Sequence, residues 1–479
     1  MRTNLTVSVP LLRADAFAPY TFFVVIVAML FGGGGTYEWP DAIVQLAALP
    51  LLAWALFKLT LSKLGRPGRW AIGLLSAIFA WPLLQLTPMP PSLWTGLPGR
   101  GQIASAYEAA GIPLPWLPIS LYPSATWLGL ISLLPATAVF LAMLSLERRS
   151  RRVVIVLIFV IVLASVVLNM LQIMGGEDSP LWFHARGRDR AVGFFANANH
   201  NAAFLYSAIP FSTAWMIGLL RDDRQNRGIG LALLALLAVT IIIGVTVTQS
   251  RTGMALLFVA GLSSLMLAWR HDRGQSSRRL LRFAIGANLV ALLLAFHFGF
   301  AGLTQRFQYQ GIDDYRWPVS QVTSRAAIAN LPSGSGFGTF TQVYEQFAPR
   351  TLLLDGRFYV NHAHNDWLEL WLTGGIPAIV LAIGFLAWFV ASTSRLWSSS
   401  EPRTPVLDLV LAQAASIVIV LLLLHSATDY PLRITSVTVL FAIACGYMIP
   451  GRKIEGAAEQ CAEIESFAPE NIVWPRNRS

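Results

Sequence analysis

The segment NHAHNDWLEL, residues 361–370, gathers side chains capable of acid–base chemistry in a chain that is otherwise mostly apolar. Its polar members are His362, His364, Asn365, Asp366 and Glu369. Asn365 or Asp366 can cap a following helix, and Glu369 stands three residues after Asp366, as in a capping box. The positive end of that helix disfavours a protonated imidazole. His364 is therefore predicted to be a neutral histidine suited to general-base catalysis, although a purely capping role explains the same pattern.

Arginines in other segments could bind phosphate, because the guanidinium presents a planar fork of hydrogen-bond donors. Arg251 lies in TQSRTG, and Arg325 lies in TSRAAIANLP. A small basic cluster contains Arg186, Arg188 and Arg190. For Arg251 and the cluster the alternative is contact with lipid headgroups. For Arg325 the alternative is a solvated loop charge.

Three further groups of residues have a structural interpretation. Asn199 and His200, in ANANHNAAF, are most simply part of a polar helix cap. His425 and Asp429 flank a turn, and we expect a structural hydrogen bond between them. The glycines of GSGFG, residues 334–338, predict a backbone turn, since the Lys-Ser/Thr of an ATP-binding loop does not follow. No Cys/His cluster has zinc spacing and no acidic pair predicts a magnesium site, so no metal or cofactor is expected.

The composition indicates a polytopic all-α membrane protein. The 479 residues are 55% hydrophobic and 13% charged, whereas soluble domains contain about 25% charged residues. Apolar runs long enough to cross a bilayer recur along the chain. The net charge of +10 comes from short basic clusters between these runs. Such clusters indicate membrane topology, and no nucleic-acid partner is expected.

The apolar runs predict about twelve transmembrane helices. They lie near residues 20–36, 40–57, 70–86, 124–146, 153–174, 198–220, 229–247, 252–269, 283–301, 366–390, 406–424 and 432–449. Alternate connections, including ERRSRR and RHDRGQSSRRLLR, carry most of the basic residues. By the positive-inside rule, both termini are then cytoplasmic.

This orientation divides the chain and places the polar motifs on the outer face. The expected parts are a cytoplasmic N-terminal segment at 1–19, a transmembrane domain at 20–449 and a cytoplasmic tail at 450–479. The long outer loops are 87–123, 175–197 and 302–365. The last of these loops is rich in aromatic residues, which predicts a folded, partly helical segment.

Several motifs, taken in order, resemble the O-antigen ligase and O-antigen polymerase superfamily. They are GFFANANHNAAFL, TQSRTG, SRAAIANLPSGSGFGTF, HAHNDWLELWLTGGIPA and HSATDYPL. The resemblance implies a multi-span glycosyltransferase of the GT-C type. Its active site would lie at the periplasmic face of the bacterial inner membrane, and its donor would be a glycan carried on undecaprenyl diphosphate. Ligases of this superfamily transfer the glycan to the lipid A core, and polymerases join repeat units.

Carried over by position, the resemblance implies roles for individual residues. The family's histidine-asparagine motif matches His364 and Asn365, and its two arginines match Arg251 and Arg325. His364 would then deprotonate the acceptor hydroxyl, with inversion at the donor sugar, while the arginines hold the diphosphate without a metal. We expect substrate binding from these arginines and Asn365, together with Arg190, His362, His200 and Asn199.

The acceptor stays open at this stage. A glycan acceptor would make the protein a polymerase, and a lipid A core acceptor would make it a ligase. The long first outer loop favours a polymerase of an exported polysaccharide slightly. A transporter or lipid-linked glycan flippase is the alternative from another class, because twelve spans with both ends inside is a common transporter layout.

Overall fold

The computed structural model describes residues 16–35, 39–182, 190–221, 227–271, 316–350, 360–398 and 406–450, together with Gly286 and Leu293. In these ranges the chain is helical, and the only extended pairing is a single bridge between Met89 and Leu117. The tail beyond residue 450 and the predicted span at 283–301, apart from the two single residues, lie outside the described residues. Arg186 and Arg188 also lie outside them.

We number the described α-helices α1 to α16 in chain order. They are α1 Phe17–Phe31, α2 Trp39–Lys58, α3 Arg66–Leu86, α4 Pro91–Trp94, α5 Gly101–Ala109, α6 Pro123–Ser132, α7 Leu134–Ser145, α8 Arg148–Gly175, α9 Ala198–Leu220, α10 Arg227–Val247, α11 Arg251–Arg270, α12 Arg316–Ala329, α13 Phe340–Phe347, α14 Asp366–Ser398, α15 Val406–His425 and α16 Thr435–Tyr447. A short 3₁₀ turn, Pro431–Arg433, precedes α16.

Among the described residues, nine segments are long and apolar enough to cross a membrane. They are α2, α3, α6 with α7, α8, α9, α10, α11, α14 and α15. Two shorter apolar helices, α1 and α16, coincide with the first and last predicted spans. The all-helical, multi-pass class is therefore confirmed, while the count of twelve and the location of the termini stay predictions.

One predicted span is present as a single membrane-length segment, Pro123–Ser145, but a turn interrupts it. The run at 124–146 was expected to form a single helix, but it forms α6 and α7 with a break at Leu133. Pro135, in the first turn of α7, has no N–H to donate to the preceding turn, and its ring crowds the carbonyl there. The helix therefore breaks and restarts within the same apolar segment.

Helix α9 lies at the centre of the bundle and packs against α10, α11 and α15. Nearly all of its side chains between Ala198 and Ser212 are buried, as expected for a helix that is apolar on every face. Its start matches the prediction, because Asn197 caps the first turn by accepting a 2.9 Å hydrogen bond from the N–H of Asn199.

The two ends of the bundle carry different chemistry. At one end, Arg151 donates to the carbonyl of Ile449 at 2.9 Å, and Arg152 pairs with Asp408 at 2.7 Å. This end contains the basic segment ERRSRR and the last turn of α16. At the other end the first turns of α9, α11 and α14 meet the last turn of α15. The basic connection and the polar motifs therefore lie at opposite ends.

Helix α14 is kinked where a glycine-rich loop packs against it. Gly375 has φ 63° and ψ −155°, and the N–H of Ile376, which follows it, donates to the carbonyl of Pro332 at 2.8 Å. A Cβ atom on Gly375 would lie 2.2 Å from that carbonyl oxygen. The kink thus requires glycine for both its conformation and its close contact.

The loop at 334–338 is a backbone turn, as predicted. Its N–H groups donate within the protein: Ser335 to Leu372 and Gly336 to Thr373, both at 3.0 Å, and Phe337 to the Gln85 side chain at 3.0 Å. Because these donors are already used, the glycines do not form a phosphate cradle. The loop instead joins α14 to the end of α3.

We predict that Gly375→Ala destabilises the protein by roughly 1–3 kcal/mol, the typical cost of a left-handed conformation for a residue with a Cβ. Gly73→Ala in α3 is the matched control, since no atom lies within 4 Å of the added methyl group. Thermal unfolding in detergent, followed by size-exclusion chromatography, measures both. Equal midpoints for the two variants would show that the kink tolerates a side chain.

Candidate active site

His364 is held in an unusual backbone conformation directly before α14. Its φ is 49°, in the left-handed region that non-glycine residues seldom occupy. The next residue, Asn365, caps α14: its side-chain oxygen accepts from the N–H groups of Trp367 at 3.0 Å and Leu368 at 3.1 Å. The amide of Asn365 also donates to the carbonyl of Ala427 at 3.0 Å. Both the cap and this contact fix the direction in which the His364 ring leaves the chain.

His364 pairs with Asp429, from the turn between α15 and α16. The Nδ1 atom of His364 lies 3.0 Å from Oδ1 of Asp429. The histidine side chain is 11% exposed, and that of the aspartate is fully buried. Because a carboxylate can only accept, Nδ1 carries the proton, and Nε2 is the nitrogen able to take up another. This arrangement suits a general base oriented by an acid.

Asp429 is the centre of a larger network. Its Oδ2 accepts from the side-chain amide of Asn199 at 2.5 Å, and its Oδ1 also accepts from the N–H of Tyr430 at 3.0 Å. The guanidinium of Arg316 lies 3.6 Å from Oδ2. His200 lies 4.0 Å from Oδ1, and neither of its ring nitrogens has a hydrogen-bond partner among the described residues.

These neighbours set the charge of Asp429. Burial alone would raise the pKa of its carboxyl group. The hydrogen bond from His364, with His200 and Arg316 close by, outweighs burial and holds the pKa well below its usual range. Asp429 is therefore ionised at neutral pH and can stabilise a proton acquired by His364.

The network reaches the first turn of α11. The hydroxyl of Ser250 donates to the Asn199 side chain at 2.7 Å, and it also caps α11 by accepting from the N–H of Gly253 at 3.0 Å. Gln249, just before, has φ 52°. Arg251 follows as the first residue of the helix and is exposed. Helix α11 is thus connected to Asp429 through the side chains of Ser250 and Asn199.

A second histidine–carboxylate pair lies two residues before the first. The Nδ1 atom of His362 is 3.0 Å from Oε1 of Glu369, and the N–H of Ala363 donates to Oε2 at 3.0 Å. The predicted capping box is therefore wrong. Asn365 is the cap, which places Glu369 one position too late to reach back to it, and Glu369 binds the preceding loop instead.

The ring of Tyr430 contacts three histidines of the site. Its centroid lies 4.3 Å from that of His362, 4.9 Å from that of His364 and 4.7 Å from that of His200. Tyr430 is almost fully buried. On the His362 side, a cavity of about 650 Å³ opens between helices. His362 and Glu369 line this cavity, whereas Tyr430, His364 and Asp429 are not among its lining residues.

The structure brings together part of the predicted residue set. His362, His364, Asn199 and His200 surround Tyr430 and Asp429, whereas Arg325 is exposed on α12 and donates no hydrogen bond to any described residue. Arg190 is half-buried at the start of the segment before α9. The substrate roles of these residues stay predictions. Within the described ranges, no group of three or more His, Cys, Asp or Glu residues is arranged to hold a metal ion.

The predicted structural hydrogen bond between His425 and Asp429 forms through the backbone and not between the side chains. The Nδ1 atom of His425 bonds to the hydroxyl of Tyr206 at 2.8 Å, while Asp429 faces His364 and Asn199. Both residues follow one helix end, but the turn directs Asp429 away from the His425 ring. Only the backbone joins them, through the N–H of Asp429 and the carbonyl of His425 at 2.9 Å.

Sequence reasoning missed four residues of the site: Asp429 as the partner of His364, and Tyr430, Arg316 and Arg433. A signal was available for Tyr430, which lies in the turn HSATDYPLR, and for two others in the same turn. Asp429 and Arg433 both lie in the short polar turn HSATDYPLR between two apolar runs. Arg316, by contrast, looks like any loop arginine in DDYRWP.

Comparison with known families gives one match. Residues 236–383 match the family model described as O-Antigen ligase. This match confirms the resemblance to the O-antigen ligase and polymerase superfamily, and it spans Arg251, Arg325, His362 and His364. Asp429 and Arg433 lie beyond the matched range. No curated protein matches the chain.

We predict that Asn365→Ala lowers stability by about 1 kcal/mol, because it removes the cap of α14. Asn365→Ser should retain most of that stability, since a serine hydroxyl can also accept from the first turn. Thermal midpoints of the purified variants measure the difference. Equal losses in both would show that the bond to Ala427, rather than the cap, is what stabilises this helix start.

Proposed function

We propose that this chain, whose residues 236–383 match an O-antigen ligase family model, is an inner-membrane glycosyltransferase. It acts on undecaprenyl-diphosphate-linked glycans at the periplasmic face. It serves O-antigen or exopolysaccharide assembly, and polymerisation is slightly preferred over transfer to lipid A core. The observation that carries this proposal is the pair formed by His364 and the ionised Asp429. A histidine oriented by a buried carboxylate supplies the base that glycosyl transfer to a hydroxyl needs.

The reaction proceeds by a single displacement. The acceptor hydroxyl gives its proton to Nε2 of His364 as its oxygen bonds to the anomeric carbon of the donor sugar. The bond from that carbon to the lipid diphosphate breaks, and its electron pair leaves with the diphosphate, which inverts the anomeric centre. Asp429 stabilises the imidazolium that forms and keeps the ring in the correct tautomer.

Arginines balance the charge that grows on the leaving diphosphate. We give this role to Arg251 and Arg325 because their motifs resemble those of the family's arginines. Arg316 is a further candidate because it lies 3.6 Å from Asp429. Loss of one donor that acts on developing charge costs about 2.7–4 kcal/mol, or roughly 10²–10³ in rate. No cofactor is required, because the lipid diphosphate is already a good leaving group.

The acceptor distinguishes the two activities of this superfamily. The length of the first outer loop supports the slight preference for a polymerase. This loop contains α4 and α5, and the ring N–H of Trp94 donates to the carbonyl of Pro115 at 2.8 Å. The flippase alternative predicts neither a longer glycan nor a glycan joined to lipid A core, because passage of a lipid-linked glycan forms no new glycosidic bond.

The deciding experiment supplies purified protein in lipid with an undecaprenyl-diphosphate repeat-unit donor, with and without lipid A core, and separates the products by size. A ladder from the donor alone identifies a polymerase. A product that requires the core identifies a ligase. If neither product forms with donors matched to the host, a flippase becomes the better explanation.

We predict that His364→Ala abolishes transfer and that Asp429→Asn lowers it by roughly 10²–10⁴-fold, because the base loses its orienting charge. Asp408→Asn is the control, since Asp408 is a carboxylate paired with Arg152 at the opposite end of the bundle. All variants are first checked for membrane insertion and monodispersity. Activity close to that of the wild type in His364→Ala would remove the proposed base.

We also predict that EDTA leaves the transfer rate unchanged, because arginines supply the positive charge at the diphosphate. The rate is measured with the same donor before and after chelation. Strong inhibition that magnesium reverses would show that a metal ion, rather than arginine, holds the leaving group.

A further inference from the structure

Asn199, in the first turn of α9, uses both ends of its side-chain amide inside the protein. Its nitrogen donates to Oδ2 of Asp429 at 2.5 Å, and its oxygen accepts from the hydroxyl of Ser250 at 2.7 Å. The residue is only 9% exposed. The mechanism gives steps to His364 and Asp429 but none to Asn199, and its amide, a predicted substrate contact, already has two protein partners.

The orientation of this amide follows from its two neighbours. An ionised carboxylate can only accept, so the amide nitrogen must face Asp429. On the other side, the Ser250 oxygen accepts from the N–H of Gly253 at 3.0 Å, and the one hydroxyl proton of Ser250 is then directed at the Asn199 oxygen. A flipped amide would set its oxygen against the carboxylate, so both contacts favour the same orientation.

Close packing of α11 against α9 brings Ser250 to Asn199. A Cβ atom on Gly253 would lie 2.5 Å from the Cβ of Ala202, so glycine is what permits the two helices to approach this closely. Ser250 is buried at this contact. The distance between the hydroxyl and the amide is therefore set by the packing of two helices, which position side chains more precisely than loops do.

The two oxygens of Asp429 have different partners. Oδ1 faces Nδ1 of His364 at 3.0 Å and accepts from the N–H of Tyr430 at 3.0 Å. In the described part of the chain, the one hydrogen bond to Oδ2 comes from Asn199, while the guanidinium of Arg316 lies 3.6 Å away. Because the terminal torsion of an aspartate is broad, the donor on Oδ2 decides how directly Oδ1 meets the imidazole.

We propose that Asn199 is a positioning residue for the base. It holds the carboxylate of Asp429 so that Oδ1 orients His364, and Ser250 acts through Asn199 by fixing its amide. Neither Asn199 nor Ser250 touches the substrate in this assignment. The proposal rests on the proposed function, because that function makes His364 the base. Loss of Asn199 therefore lowers kcat and leaves the binding of substrate unchanged.

Asn201, two residues further along α9, provides a matched control. Its amide also accepts from a serine, Ser165, at 3.0 Å and donates to an oxygen, that of Asn169, at 2.8 Å. Asn201 is fully buried. Both of its partners lie on α8, and neither bonds to Asp429. Asn201→Ala thus removes the same chemical group from the same helix without removing a donor from the carboxylate.

The test measures kcat and KM for glycan transfer by purified full-length variants in lipid nanodiscs. Asn199→Ala should lower kcat roughly ten- to hundredfold, the size expected for a lost hydrogen bond to a charged group, with KM unchanged. Asn201→Ala should keep the wild-type kcat at a similar loss of thermal stability. A raised KM with unchanged kcat would show that Asn199 binds substrate, and equal losses of kcat in both variants would show a general loss of structure. Either result overturns the proposal.

The part played by Ser250 is tested by a double-mutant cycle. Ser250→Gly removes the hydroxyl but keeps a residue that caps helices nearly as well as serine, and Ser250→Thr keeps the hydroxyl and should act like the wild type. If Ser250 works through Asn199, Ser250→Gly lowers kcat in the wild-type background and has no further effect in Asn199→Ala. Equal losses in both backgrounds would contradict this assignment.

A second measurement does not require activity. Hydrogen–deuterium exchange, read by mass spectrometry on the peptide 426–433, follows the turn in which Asp429 binds the N–H of Tyr430. Exchange there should rise in Asn199→Ala and not in Asn201→Ala. That result, in a protein that forms no glycosidic bond with any matched donor, retains the arrangement and removes the enzyme. A wild-type kcat in Asn199→Ala removes the positioning role and leaves the enzyme.

Discussion

A single buried carboxylate, that of Asp429, organises the functional end of this helical bundle. An ionised group in an apolar interior is stable only when its oxygens are fully paired. That requirement joins the His364 imidazole, the Asn199 amide and the backbone of Tyr430 to one point. The start of α11 is joined as well, through Ser250 and Asn199. Helices that are distant along the chain are thereby connected around the ring of Tyr430. A change in any of these contacts is expected to alter the position of His364.

The surrounding scaffold explains how a loop histidine can be held so closely. His364 lies in a left-handed conformation that costs free energy, and such a conformation persists only where neighbours fix it. On its C-terminal side, Asn365 caps α14 and binds Ala427. Further along, α14 is kinked at Gly375 and clamped by the loop that contains Pro332. Gln85 donates from α3 to the carbonyls of Ser333 and Thr373 and so fixes both sides of this clamp. The helix that carries the site is therefore secured at its start and at its kink.

Hydrophobic patterning located the long apolar helices of the described residues but did not pair the polar residues. The predicted boundaries of α9 agree with the structure, because apolar length and an asparagine cap are local signals. The break at Leu133 could have been anticipated from Pro135. The pairing of His364 with Asp429 spans 65 residues, and the turn between α15 and α16 decides which way the carboxylate points. A pairing of His425 with Asp429 looked plausible because the two are close in sequence. Local proximity is a poor guide here, because the side chain of His425 bonds to Tyr206 and that of Asp429 to His364.

The two histidine–carboxylate pairs are alike in geometry but differ in surroundings, and this difference separates their roles. His364 is the less exposed of the two, and it faces an ionised aspartate supported by Arg316 and Asn199. These surroundings favour a role as a base, because the buried aspartate stabilises the proton that His364 acquires. His362 is more exposed, and its carboxylate also contacts Arg433, beside an apolar cavity. Both rings contact Tyr430, with centroid distances of 4.3 Å for His362 and 4.9 Å for His364. The two histidines of HAHND therefore have different carboxylate partners, although both rings contact Tyr430.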